Sequence, residues 1–259
     1  MRKDRRVAVW GPERLTAQDR VAALEVEGRL LVDAAVAAGP DAAVPSCPGW
    51  TVDTLLRHIG LIHLWATEVV TAEGPEIDQD VFDDRAVLPD DGDVPAWARD
   101  AHAGLVRALR AAPDFDGWTF WPSPTSARDF WTRRQLHETA VHRMDAELAA
   151  WRSLTPMRAD LAADGIDELL TGLLPYEPLY AAEPRSMAVV LDDVEIAWYV
   201  SIAARPPETQ RGLAPADLTL RGTANELYTF LQNRASDGVR AHGTTDLVGL
   251  WRQRVRISR

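Results

Sequence analysis

A mainly helical chain of two domains, a four-helix bundle followed by a small α+β domain, is what three features of this sequence predict. Apolar residues recur at helical spacing in four long segments between residues 19 and 150. The composition then shifts to β-branched and aromatic runs after residue 185. The length of 259 residues holds one large or two modest domains of ~100–150 residues each. The boundary is expected between Leu174 and Pro184, giving a bundle over residues 1–178 and an α+β domain over 179–259.

Residues 1–15 read as an irregular arm. Thr16-Ala17-Gln18-Asp19 then resembles an N-cap with an acidic first turn, and Val21, Leu24, Leu31 and Ala35 mark the first helix up to Gly39-Pro40. Two prolines and a glycine make Val44–Trp50 a rigid loop. Thr51 caps a second helix from Val52 to about Val70, with Leu55, Ile59, Ile62 and Val69 as its apolar stripe. Residues 71–92 are acidic and turn-rich and read as a long surface loop. Asp93-Val94-Pro95 opens a third helix through Arg110. A loop carrying Trp118, Phe120 and Trp121 leads to the fourth, about Ala127 to Ala150. Four long helices in sequence suggest a bundle.

Beyond it, a short helix is expected around Ile166–Leu173. Ser186–Leu191 and Glu195–Ile202 read as strands joined at Asp192-Asp193, followed by a proline-rich loop to Pro215 and a strand at Leu218–Gly222. Thr223 with Glu226 three residues on forms a capping-box pattern before another helix, and Thr244 or Thr245 caps a last one through Trp251.

Bulk chemistry narrows the function. The formal net charge of -11 argues against a nucleic-acid partner and against anionic membrane surfaces. No run approaches eighteen apolar residues, and no apolar segment follows the basic start, so neither a transmembrane span nor a signal peptide is expected. One cysteine, Cys47, excludes an internal disulfide and suits the cytoplasm, where it reads as a buried structural thiol. Ten tryptophans against five phenylalanines suggest a Trp-rich core or cavity wall.

Among the six histidines, His142 lies four residues after Glu138 on the fourth helix, so the two side chains share a face. A third ligand from a facing helix would complete a three-residue metal site with an open position. His58, on or near the stripe of the second helix, is the best candidate, and Zn²⁺ or Ni²⁺ suits the donors. Spacing alone does not separate this from a core or surface Glu–His pair, the commoner circumstance, and a different helix phase would bring in His63 instead. Arg133, Arg134 and Arg143 flank the pair; they read as solvated surface or as partners for an anionic ligand.

Several of these segments resemble a known family. Cys47-Pro48-Gly49-Trp50-Thr51-Val52, Leu55-Leu56-Arg57-His58-Ile59-Gly60 and His137-Glu138-Thr139-Ala140-Val141-His142 resemble the N-terminal domain of the mycothiol-dependent maleylpyruvate isomerase family, a DinB-like metal-binding four-helix bundle. Leu220-Arg221-Gly222-Thr223-Ala224 through Leu227 and Arg234 resembles its small C-terminal α+β domain. The resemblance implies a divalent metal, zinc or nickel, on His58, Glu138 and His142, with mycothiol as thiol cosubstrate. It implies catalytic roles for His58, through the metal, and for Arg234, as holder of a substrate carboxylate. Asn233 stands where the family usually has glycine before this arginine, and Gly222-Thr223 where it often has Gly-Pro or Gly-Asp. The implied chemistry is addition of a thiol to a small unsaturated electrophile. Rotation and elimination then give an isomerase; retention of the adduct gives an S-transferase. The rivals are a metal-assisted hydrolase and, from a different class, a metal-stabilised small-molecule binding or stress-response module without turnover.

Overall fold

The computed structural model describes residues 15–72, 76–234 and 237–255. The described residues divide into two compact units, Leu15–Thr155 and those from Pro156 on. The arm expected over residues 1–15 lies outside the described residues except for Leu15.

The first unit is a four-helix bundle. Its long helices are α1 (Ala17–Ala38), α2 (Val52–Ala72), α4 (Val94–Ala111) and α5 (Ala127–Ala149). Thr16 closes the expected N-terminus of α1 with a full capping box: its hydroxyl accepts from Asp19 N, while the Asp19 carboxylate accepts from Thr16 N. Thr51 Oγ1 accepts from Thr54 N at the start of α2. Pro95 sits in the first turn of α4, where its missing N–H leaves no bond unmade. Leu31 and Ala35 of α1, Leu55 and Ile59 of α2, Ala98 of α4 and Ala146 of α5 belong to one apolar core. α1 packs chiefly along α5 and α2 chiefly along α4.

Residues 71–92 are not the long surface loop that their composition suggests. The described residues among them hold the end of α2, at Thr71 and Ala72, and a seven-residue helix, α3 (Gln79–Arg85), whose N-cap Asp78 accepts from Val81 N. Only Phe82 of α3 is buried, so the segment has no apolar repeat to betray a helix. Tertiary contacts hold it instead: Trp65 Nε1 donates to Ile77 O, and Arg85 pairs with Glu68 at 2.5 Å.

The second unit packs α6 (Ala159–Glu168) and α7 (Ala224–Leu231) with a five-stranded sheet and ends in α8 (Asp246–Arg254). The strands are β1 (Arg185–Leu191), β2 (Ala197–Ile202), β3 (Glu208–Arg211), β4 (Leu218–Gly222) and β5 (Arg240–Gly243), in the order β3-β2-β1-β4-β5. Only the β1–β4 pairing is parallel, with Val189 opposite Leu220. Thr223 and Glu226 make the expected capping box, and Asp193 adds an acceptor for Ala224 N. β3 and β5 escape the sequence reading because they are short edge strands whose residues are mostly exposed and lack alternation.

α6 starts seven residues before the helix expected at Ile166 and continues as a π-helical turn, Leu169–Leu173. It lies with the C-terminal unit, whereas a division at residue 178 puts it with the bundle. Besides its buried apolar residues, it has a polar tie: the fully buried Asp167 accepts from Trp198 Nε1 at 2.9 Å and from Arg211 Nε and Nη2 at 2.6 and 2.7 Å. A hydrophobic pattern cannot signal such a contact.

Candidate metal centre

His58 on α2 meets Glu138 and His142 on α5 inside the bundle. One donor atom from each lies within 4.8 Å of the other two. His58 Nε2 is 3.6 Å and His142 Nε2 3.2 Å from the same oxygen, Glu138 Oε1. The two rings are 5.0 Å apart and nearly perpendicular. One helical turn separates Glu138 from His142, which brings their side chains together. His58 arrives on the apolar face of α2 beside Leu55 and Ile62, both buried in the core. His58 and Glu138 keep 16% and 17% side-chain exposure, so solvent or a ligand reaches the site, while His142 is buried at 3%.

The surroundings prepare these groups for a cation. His142 Nδ1 lies 2.9 Å from Asp145 Oδ2, and Asp145 is fully buried. Nδ1–H donates to that carboxylate, so the proton that a metal must displace is the one on Nε2, whose position faces His58 and Glu138. This is the carboxylate–histidine arrangement that orients metal ligands. Ser46 Oγ (2.5 Å) and Cys47 Sγ (3.6 Å) from the proline loop also donate to Asp145. Burial alone would lower the His142 pKa, but hydrogen bonds and charges from Asp145 and Glu138 push it up to about 9. Burial raises Glu138, yet the Arg134 guanidinium, with His142 and His58, holds it well below the usual carboxylate range. An ionised carboxylate beside two imidazoles is a field that attracts a proton or a metal ion alike.

The donor set fits a divalent metal of borderline softness. His58 Nε2 adds an independent sign: it is buried and has no hydrogen-bond partner. Native structures leave few polar atoms so, and an ion is one of the usual reasons. The Trp50 ring stands 4.9 Å from that of His58 and stacks on His142 at 6.1 Å, walling one side with a flat apolar surface.

His63 stays out of this cluster. It points to Thr139 and to His102, whose ring centroid is 5.1 Å away. Two of the three arginines are not solvated surface, while Arg133 is half-buried. Arg134 is buried and hydrogen-bonds Glu138 Oε2, whereas Arg143 is buried between Glu27 (2.8 Å) and Glu147 (2.7 Å). Asp145 was the residue to find: it follows His142 by three positions on one helix, a spacing that allows the contact but does not distinguish it from any other i,i+3 pair.

Arg234 lies in the C-terminal unit, buried, with Nη1 donating to Gln232 O at 2.6 Å. The asparagine before it has a structural account. Asn233 has φ 59°, the left-handed region that glycine occupies freely and asparagine tolerates best among the other residues. Its side chain donates to Val255 O at 2.6 Å, so asparagine keeps the turn that a glycine would make.

Fold and donor set define a class: four-helix bundles with a candidate metal site built across two facing helices. Residues 21–147 match the family described as Mycothiol maleylpyruvate isomerase N-terminal domain, which places this helical domain in that family. Among solved structures, a mycothiol-dependent maleylpyruvate isomerase is similar at 12% identity and a TM-score of 0.64, covering 88% of this chain and 94% of its own. A point mutant of the isomerase is similar at a TM-score of 0.63, with the same identity and coverage. At that identity the likeness shows the fold. No curated protein matches the sequence. Among the described residues, no helix is long and apolar enough to cross a membrane.

Proposed function

We propose that this protein holds one divalent metal, zinc or else nickel, on His58, Glu138 and His142. With mycothiol as cosubstrate it acts as an isomerase or S-transferase on a small unsaturated electrophile bearing a carboxylate. The observation that carries the reading is the convergence of one donor atom each from His58, Glu138 and His142, with His58 Nε2 buried and making no hydrogen bond. The family supports the thiol and the reaction class. A bound divalent metal lowers the pKa of a coordinated thiol and supplies a nucleophile near neutral pH.

The chain's own residues set the conditions for that chemistry. Asp145 fixes the His142 ring and its tautomer, and Arg134 holds Glu138 ionised and in place. Three protein ligands leave a coordination position for a small molecule, as in catalytic sites. The Trp50 face excludes water from one side and offers a surface to a planar unsaturated substrate. The family resemblance gives Arg234 the role of carboxylate holder, a group that a guanidinium fork matches bidentately. The setting we propose is cytoplasmic, with a low-molecular-weight thiol and a small-molecule substrate as partners and no nucleic acid or membrane.

The test is elemental analysis of tag-free protein beside His58→Ala, followed by thermal-shift and turnover measurements with mycothiol and short unsaturated acids. About one zinc or nickel per chain, lost in the variant, with a thiol-specific shift and thiol-dependent turnover, is expected. No metal in the parent after reloading would overturn the metal reading. Metal without any response to thiol would overturn the enzyme in favour of a metal-stabilised binding module.

A further inference from the structure

The two helices that carry the proposed ligands are not each other's main packing partners. α1 lies mainly on α5 and α2 mainly on α4, and α2 meets α5 over a shorter stretch. Apolar packing therefore constrains the α2–α5 spacing less than it does the other pairs, yet the donors must stay within a few tenths of an ångström of coordination distance.

A buried hydrogen bond crosses this gap. His63 Nε2 lies 2.9 Å from Thr139 Oγ1, and Thr139 Oγ1 donates its proton to Gln135 O at 2.7 Å. The hydroxyl has one proton, so toward His63 it accepts, and the ring donates from Nε2. Burial and the neighbouring His102 hold the His63 ring well below its usual pKa, so the ring is neutral and its single proton sits where the bond needs it. Both side chains are essentially inaccessible, at 2% and 0% exposure. Thr139 directly follows Glu138, and His63 lies five residues after His58 on α2.

We infer that His63 and Thr139 are positioning residues for the metal ligands: their hydrogen bond sets the distance between α2 and α5, and through it the distance from His58 to Glu138 and His142. This rests on the metal reading proposed above. A deformable interface needs a directional contact where packing leaves the spacing loose. A hydrogen bond in a low-dielectric core, with the hydroxyl locked by its own backbone, supplies one.

The experiment uses the full chain and cobalt(II) as a spectroscopic stand-in for the metal. The parent, Thr139→Val and Thr139→Ser are titrated with cobalt, and affinity and visible absorption bands are recorded beside thermal melting. Thr139→Val keeps the side-chain volume and removes the acceptor; Thr139→Ser keeps the acceptor. The valine variant is expected to bind cobalt ~10–100-fold more weakly with shifted bands, as loss of a ligand-orienting partner does. The serine variant is expected to match the parent in both. Parent-like affinity and bands in Thr139→Val would overturn the inference, as would equal weakening in both variants. If the valine variant does not fold, His63→Gln decides: its amide can donate to Thr139, so affinity and bands close to the parent support the tether and their loss overturns it. A parent that binds no cobalt overturns the metal reading instead, so the two failures are distinct.

Discussion

Metal affinity should depend steeply on pH, and His142 sets the slope. A metal takes the neutral imidazole, so a proton on the ring must leave first. Asp145 and Glu138 overcome the effect of burial and raise this ring from 6.5 to about 9. At about pH 7 the ring lies roughly two pH units below that value. Freeing it costs about 2.7 kcal/mol at ~1.36 kcal/mol per unit, or about a hundredfold in apparent affinity. The direction follows from the sign: affinity rises roughly tenfold per pH unit up to about pH 9 and levels off above it. Glu138, held well below the carboxylate range, stays ionised throughout and adds no slope. Competition against a chromophoric chelator between about pH 6.5 and 9.5 measures the curve. Asp145→Asn removes the charge that raises His142, so its curve should flatten at lower pH, while its plateau falls ~10–100-fold through loss of the orienting carboxylate. A parent affinity that is flat across this range would refute the argument.

Three further outcomes follow from the packing. Asp167→Ala should destabilise the C-terminal unit by about 1–3 kcal/mol, because it leaves the buried Trp198 Nε1 without its acceptor, while the partly exposed Arg211 regains water; urea unfolding followed by Trp fluorescence reads the loss. Gly60→Ala should destabilise the bundle by about 1–2 kcal/mol: an added Cβ would lie 2.1 Å from the Trp97 ring, and the ~1 kcal/mol gained in helix propensity offsets only part of that overlap, as melting curves would show. Acid should weaken the fold between about pH 6.5 and 4. Burial lowers His102 to about 4, against the opposing pull of Glu25, so the unfolded chain takes up a proton that the folded one refuses. The loss approaches ~3 kcal/mol below pH 4, and His102→Gln should flatten this limb of the stability curve.

Four helices and their caps were legible in the sequence because each buries a stripe at the helical period, and Thr16, Thr51 and Thr223 cap where local rules put them. The pair Glu138–His142 was legible for the same reason, since one turn of helix fixes their shared face. His58 was the best third candidate from its place near the α2 stripe and the family resemblance strengthened it, but helix periodicity alone could not exclude His63. α3, β3 and β5 were invisible because they bury almost nothing of their own and are held by contacts from distant segments. Asp145, the burial of Arg134 and Arg143, the His63–Thr139 bond and the anchoring of α6 through Asp167 all depend on which helix or strand stands opposite. Local sequence determines period, cap and face; the direction in which a face looks, and so which polar groups meet away from water, is decided only when the elements pack.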